Sequence, residues 1–467
     1  MTRRLAGDRS ARPVRLDPAA PWQSEAPFAV RRRDFLRLAS AGTALSVLGL
    51  PIAEAWAKGF KRAEPLKVGV VGCGGRGTGA AIQALRADPG TILWSMGDTF
   101  AERLEGSLGH ISGAMGSLDE QESGGDWSRK VQVDESRRFI GLGAYKKVID
   151  SGVDVVILTT PPGFRPQHLA AAVDANKHVF CEKPVAVDGT GVRSVLDTVE
   201  RARAKSLSIM SGFCWRYSRR ERETYAQIHS GRMGEIQSVY TTYNTTGWIE
   251  PKPRRSGWSD GEFQVRNWHY FTPLSGDHIV EQAVHAIDKL RWGFNDEVPL
   301  ACVAVGGREV RPEAPETGNV WDHFSVAFEY SNGRRGHHMC RHWPNAISDN
   351  SDYLLGTKGR AEVNGWTDTH VIEGASPWRC ESPRNDMYQQ EHDELFAAIR
   401  AKTPINDGVA MTHSTLMAIM AREAAYTGQQ VSWEQALNSS LDLNAQPWDW
   451  SDRPTPPTAR PGVTKLI

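Results

Sequence analysis

An α/β architecture is predicted: a doubly wound parallel sheet first, then a mostly antiparallel sheet in a second domain. Three observations predict it. Residues 67–77 read KVGVVGCGGRG, a β-branched run that passes into G-x-G-x-x-G. Strand-like and helix-like patterns then alternate from Lys67 to about Gly212, as strands and crossover helices do in a parallel sheet. Beyond Trp215 the pattern changes to IQSVYTTYN, CVAVGG, WDHFSVAFEY and RRGHHMCRHW, alternating runs that suit antiparallel strands buried on one face.

The first strand and its turn say most about function. Val68, Val70 and Val71 suit a buried strand, and Gly72, Gly74 and Gly77 supply a turn into a helix. The first glycine permits the tight turn, the second lets backbone amides approach a pyrophosphate, and the third lets helix pack on strand. Gly75 and Arg76 lie inside the same turn. Asp98 closes the next apolar run, LWSMGD, about 20 residues further on, where a carboxylate accepts from ribose hydroxyls. An acid there repels a ribose phosphate, so the pattern favours NAD over NADP.

The remaining elements follow in order. A polar, glycine-rich stretch, roughly 106–134, is predicted as an inserted or mobile loop. Residues 144–150 suit a helix, and VDVVILTTPP a buried strand ending in two prolines. HLAAAVDANK suits an amphipathic helix, HVFCEKP a strand, and LSIMSGF a further strand ending near Phe213. Residues 66–213 thus form a nucleotide-binding domain and 214–445 a second domain. Helical patterns return at 278–292, 388–402 and 409–426, and residues 446–467 form a Pro- and Trp-rich tail that wraps the surface.

Upstream, residues 31–37 read RRRDFLR, followed by LASAGTALSVLGLPIAEAWA. The apolar stretch is short and rich in small residues, too weakly hydrophobic for a stable membrane span, and Ala55-Trp56-Ala57 suits a cleavage site. Arg32-Arg33 followed by Asp34-Phe35-Leu36 matches a twin-arginine signal. Residues 1–57 are therefore expected to be a leader read by the twin-arginine export machinery, with the mature protein periplasmic or otherwise exported. About 410 residues remain, enough for two or three domains.

Lys and Arg together number 55, as do Asp and Glu, so no global field attracts nucleic acid or an anionic membrane. The six cysteines show no C-x-x-C pair and no metal-ligand spacing. Sixteen tryptophans, concentrated after residue 215, offer flat apolar faces that suit sugar rings as well as core packing.

Ligands in open α/β sheets bind at the carboxyl ends of the strands, and three segments are expected to converge there. Thr160 and Pro161 lie in the turn after one strand, where proline forces an extended path that walls a nicotinamide. In Glu182-Lys183-Pro184 the lysine ends a strand before a proline, which biases it toward the cleft. There it can hold a substrate oxygen and stabilise negative charge as an alcohol loses its proton. The third segment is SGDHIVEQAVHAIDKLRW, in which His278, Glu281, His285 and Asp288 share one face of a single helix. Glu281 can orient His285, which suits a general base. Arg216, Trp268, His278 and Asp288 are the candidate substrate contacts. A metal is the weaker reading: His278 and His285 lie about 10 Å apart along such a helix, and His337, His338 and His342 alternate across a strand.

Taken together, GCGGRG, Asp98, TTPP, EKP and the helix with Glu281 and His285 resemble the Gfo/Idh/MocA oxidoreductases. RNWHYFTPLSGDHIVEQAVHAIDKL, GTKGR and YQQEHDELFAAIR resemble the exported branch of that family. The resemblance implies an N-terminal Rossmann domain and a C-terminal α+β domain with a large open sheet often used for homo-oligomer contacts. It implies that Lys183 is the catalytic lysine and His285 the catalytic histidine. Family members commonly carry Asp four residues before that histidine, where this chain has Glu281, which keeps the charge and reaches further. The implied activity is NAD-dependent oxidation of a secondary alcohol of a sugar, polyol or cyclitol. The alternatives are a redox-neutral NAD-dependent glycosidase, lyase or epimerase, and a non-catalytic NAD- or sugar-binding protein. Export of a folded chain to a compartment without free NAD further implies that the cofactor is loaded first and retained.

Overall fold

A computed structural model describes residues 64–122, 126–247 and 250–467. The leader expected over 1–57 lies outside the described residues. The first sheet contains β1 (Leu66–Val71), β2 (Thr91–Asp98), β3 (Arg138–Ile140), β4 (Val155–Leu158), β5 (His178–Cys181) and β6 (Ile209–Ser211). Its order is β3-β2-β1-β4-β5-β6, and every pairing is parallel. Strand order reverses between β1 and β4, which opens a crevice beyond their carboxyl ends. Val68, Val70, Val156 and Ile157 are almost wholly buried, as strands covered on both faces require.

The stretch predicted as a loop is largely helix, Ala101–Gln121. Leu104, Leu108, Ile111 and Met115 repeat at helical spacing and are buried. Gly106, Gly109 and Gly113 fall on the exposed face, where a side chain would touch nothing. Each glycine costs about 1 kcal/mol of helix propensity, and burial of the apolar stripe outweighs it.

The second sheet has nine strands: β7 (Ile236–Thr245), β8 (Ala301–Gly307), β9 (His323–Glu329), β10 (Arg335–His342), β11 (Asp352–Gly356), β12 (Gly359–Asn364), β13 (Thr369–Gly374), β14 (Trp378–Arg379) and β15 (Val431–Ser432). Its order is β14-β13-β12-β11-β7-β10-β9-β8-β15, antiparallel except where β7 pairs with β10. Val239, Phe324, Val326, Cys340 and Leu354 are buried on one face against the helices Val284–Gly293 and Gly408–Thr427. Val305, Met339 and Leu355 are exposed on the other, so the sheet is open.

Two later helices return to the first domain. Met387–Ala401 packs on Gly75–Ala87, where Arg400 pairs with Asp88 at 2.8 Å. Ile209 on β6 donates to the Ile405 carbonyl at 2.9 Å, so the second half of the chain extends the first sheet. The tail packs across both domains. Trp448 meets Phe164 edge-on, and Gln264 donates to the Arg453 carbonyl. Among the described residues no helix is long and apolar enough to cross a membrane.

The run 278–292 is not one helix. It breaks into His278–Glu281 and Val284–Gly293: the Ala283 amide donates back to the His278 carbonyl at 3.0 Å, and the His285 amide to the Gln282 carbonyl at 3.2 Å. The preceding Gly276 and Asp277 are both left-handed, at φ 79° and 76°. This break separates His278 from the helix that carries His285.

Candidate active site

A cavity of about 580 Å³ lies beyond the carboxyl ends of β1, β4 and β5. Its floor is the glycine turn. Gly72 has φ +97°, and a Cβ there would sit 2.8 Å from the Thr159 carbonyl carbon. A Cβ on Gly77 would overlap the Gly72 carbonyl oxygen. The helix Gly75–Ala87 begins at this turn without a side-chain cap, so its first amides face the cavity. Asp98 lines the same cavity, its oxygens accepting from the amides of Cys73 (2.6 Å) and Phe100 (2.9 Å). Burial raises its carboxyl above the ordinary range against the pull of those amides and Arg103. Each oxygen keeps a lone pair for a ribose hydroxyl. Bare backbone donors, a turn whose first and last glycines admit no side chain, and an acid at its edge fit a dinucleotide.

Arg76, of the glycine turn, and Glu182, of the Glu182-Lys183-Pro184 segment, both line the cavity and pair with each other. Arg76 also reaches Glu391 at 2.6 Å and Gln83 at 2.7 Å, so its charge is spent on joining the glycine turn to the helix Met387–Ala401. Thr160 and Pro161 line the cavity as expected, with the Thr160 hydroxyl 3.1 Å from His168 Nδ1.

Lys183 sits two residues beyond the end of β5 with its side chain mostly buried. Its Nζ donates to the Glu281 carbonyl oxygen at 2.5 Å and lies 3.3 Å from Glu281 Oε1. Burial alone would raise the Glu281 carboxyl, yet Lys183, His269 and Arg165 together hold it below its ordinary value. One turn on, His285 lines the cavity, and its buried Nδ1 has no hydrogen-bond partner among the described residues. Burial, reinforced by the charges of Lys183, Lys289 and Arg76, holds this imidazole neutral well below its usual titration. The site thus joins a cation able to stabilise an alkoxide, a carboxylate that fixes it, and a neutral imidazole able to take a proton.

Trp268 lines the cavity, stacked on His269 at 3.6 Å. The other three candidate substrate contacts do not line it. His278 is wholly buried, its Nδ1 3.3 Å from the Trp321 carbonyl and its ring 4.4 Å from that of His342. Arg216 and Asp288 bind each other in a two-pronged pair at 2.7 and 2.9 Å, and Asp296 takes a third bond. Residues not anticipated complete the wall: His269, Gln282, Arg165 and Lys252. Burial, offset in part by Glu281, pushes His269 down to about 4. Only His269 carried a signal, its place beside Trp268 in the RNWHYF segment.

Residues 66–213 match the family model described as an oxidoreductase family with an NAD-binding Rossmann fold, and residues 222–362 match the GFO/IDH/MocA C-terminal domain. The chain belongs to the Gfo/Idh/MocA oxidoreductase family, and its cofactor is NAD. It is similar to 2,7-anhydro-N-acetylneuraminate hydratase of Escherichia coli, 23% identical over 55% of this chain and 62% of the relative. It is also similar to inositol 2-dehydrogenase 3 of Saccharopolyspora erythraea, 27% identical over 39% of this chain and 46% of that one. The chain spans about half to two thirds of the length of the curated relatives it matches. Among solved structures, a levoglucosan dehydrogenase in complex with NADH and levoglucosan superposes with a TM-score of 0.61 at 18% identity, covering 79% of this chain and 99% of that one. An aldose-aldose oxidoreductase from Caulobacter crescentus gives 0.59 at 18% identity, over 79% and 100%. Those two likenesses bear on the fold.

Proposed function

We propose that this Gfo/Idh/MocA protein is an NAD-dependent oxidoreductase acting on a secondary alcohol of a sugar, polyol or cyclitol. The observation that carries the reading is the placing of Lys183, Glu281 and His285 in one cavity with the glycine turn. NAD held by the glycine turn and Asp98 would supply the acceptor for the hydride of the carbinol carbon. The neutral His285 accepts the hydroxyl proton, and the Lys183 ammonium holds the oxygen and offsets its developing charge. Glu281 keeps Lys183 aimed, and Trp268 offers an aromatic face to a sugar ring. Relatives named as inositol dehydrogenases support this substrate class.

A redox-neutral cleavage or elimination on the same scaffold is the second reading. Glu281 Oε2 is buried with no partner among the described residues, so a carboxylate oxygen stands ready for proton transfer beside the reacting centre. The relative named as a hydratase favours it too.

We further propose export by the twin-arginine pathway, argued from Arg32-Arg33, with NAD loaded before export and kept through many turnovers. Retention has support beside the cofactor groove. The Arg266 guanidinium lies 3.7 Å from the centre of the Phe100 ring and pairs with Glu102 at 2.6 Å, latching the segment after β7 onto the first domain next to Asp98. The test is to purify the mature protein without added cofactor, denature it and identify the released nucleotide. About one NAD per chain is expected; empty protein that needs free NAD overturns retention.

A further inference from the structure

Gln282 occupies the break between the two helices, directly between Glu281 and the turn that carries His285, and it lines the cavity. Its Oε1 lies 3.0 Å from His342 Nε2. The other ring nitrogen of His342, Nδ1, lies 3.3 Å from Arg311 Nη2. A guanidinium only donates, so Nδ1 accepts and the ring proton sits on Nε2. His342 therefore donates to Gln282, which fixes the amide's orientation. The oxygen is taken, and the two N–H bonds of the amide are left to the cavity.

The support behind this amide is rigid. His342 is buried, and its ring rests 4.4 Å from that of His278. The predicted substrate contact His278 thus serves the site from behind, as packing for His342. Arg311 is held by burial at about 10, so it still carries its proton and keeps Nδ1 an acceptor at neutral pH.

We infer that Gln282 is a specificity-determining residue, donating a hydrogen bond to a hydroxyl or ring oxygen next to the carbon that reacts, and that His342 is its positioning residue. The inference rests on the sugar, polyol or cyclitol reading above. A site that presents a fixed donor leaves it unpaired when the matching oxygen is absent, and it discriminates strongly against such analogues.

The experiment measures reduction of bound nicotinamide by D-glucose, myo-inositol and levoglucosan, and by the monodeoxy analogues of whichever is turned over. Gln282→Met keeps the length of the side chain and removes the donor. It is expected to lower kcat/KM about tenfold to a hundredfold on the parent sugar and to leave one monodeoxy analogue unaffected. His342→Phe keeps a ring, removes the supporting donor, and is expected to give the same analogue-specific loss in weaker form. Gln282→Met with equal losses on every analogue, or with none, overturns the inference. Wild-type protein that turns over none of the three sugars overturns the underlying reading instead.

Discussion

Lys183 and Glu281 lie 98 positions apart in sequence, and the Nζ of one meets both the carbonyl oxygen (2.5 Å) and Oε1 (3.3 Å) of the other. The lysine lies two residues beyond a strand of the nucleotide-binding sheet, while the glutamate ends a four-residue helix of the second domain. The pair thus joins the two halves of the chain at the point where a substrate would lie between cofactor and base. The carbonyl bond exists because the helix breaks at Gln282, which frees a main-chain oxygen that a continuous helix would have used.

The state of His285 sets a pH dependence. Burial and nearby cations keep it neutral well below the ordinary histidine value of about 6.5. Only the neutral ring accepts a proton, so the acid limb of kcat/KM for alcohol oxidation is expected below that value. His285→Ala is expected to lower kcat by about a hundredfold or more and to remove that limb, with nucleotide content unchanged. A limb at or above neutral pH that survives the substitution would point to another base.

The glycine turn separates binding from folding in a pair of variants. A methyl on Gly77 overlaps the Gly72 carbonyl, whereas a methyl on Gly75 meets nothing within 4 Å. Gly77→Ala is expected to purify without NAD and to melt lower, while Gly75→Ala retains it. Equal nucleotide content in the two would show that close packing of helix on strand does not control the phosphate site.

Much of this site was legible because its signals are local. The glycines, Asp98, Lys183 and His285 stand in short motifs whose conformations depend on neighbours a few residues away. His278 was misplaced because helical periodicity assumes an unbroken helix and the break at Gln282 turns its face from that of His285; Asp288 shares the helix of His285 and was misplaced because Arg216, from a distant segment, takes its carboxylate. The helix Ala101–Gln121 was missed for the opposite reason: its glycines weigh on propensity, but they lie on the solvent face and leave the buried stripe intact. Gln282 and Arg165 carry no sequence signal at all. Their roles come from which distant residues the fold brings against them, His342 and the Pro184 carbonyl.

Arg216 marks the same boundary between site and scaffold. It neutralises the buried Asp288, which also accepts from the Ser414 hydroxyl at 2.6 Å. Arg216→Met leaves that carboxylate without its cation and is expected to cost about 2–4 kcal/mol, less than a fully buried pair because the arginine keeps some contact with water. Denaturant unfolding checks the loss, and KM for the sugar should not move. A raised KM without loss of stability would return Arg216 to the substrate site.

Buried histidines make the fold sensitive to acid. His168 and His338 are pushed down to about 3, chiefly by burial, with Arg165 adding to it at the first and His278 at the second. Unfolded, each takes up a proton near pH 6.5. Between pH 6.5 and about 3 the unfolded chain therefore binds more protons than the folded one. Their neutral burial costs nothing above pH 6.5, and stability falls as pH drops through that window. The slope is about 1.4 kcal/mol per pH unit for each histidine. Unfolding free energy that stays level from pH 6.5 to 4.5 would contradict this.

The most direct test compares wild-type protein with Lys183→Met, both purified with their nucleotide. Absorbance near the reduced-nicotinamide band is followed while a sugar or cyclitol is added. Wild-type protein is expected to show its bound NAD reduced by the substrate and reoxidised by a keto sugar. Lys183→Met is expected to hold the same nucleotide and give a rate lower by about a hundredfold or more. Equal rates in the two proteins would contradict the assignment of Lys183, and with it the claim that this cavity is the place of hydride transfer.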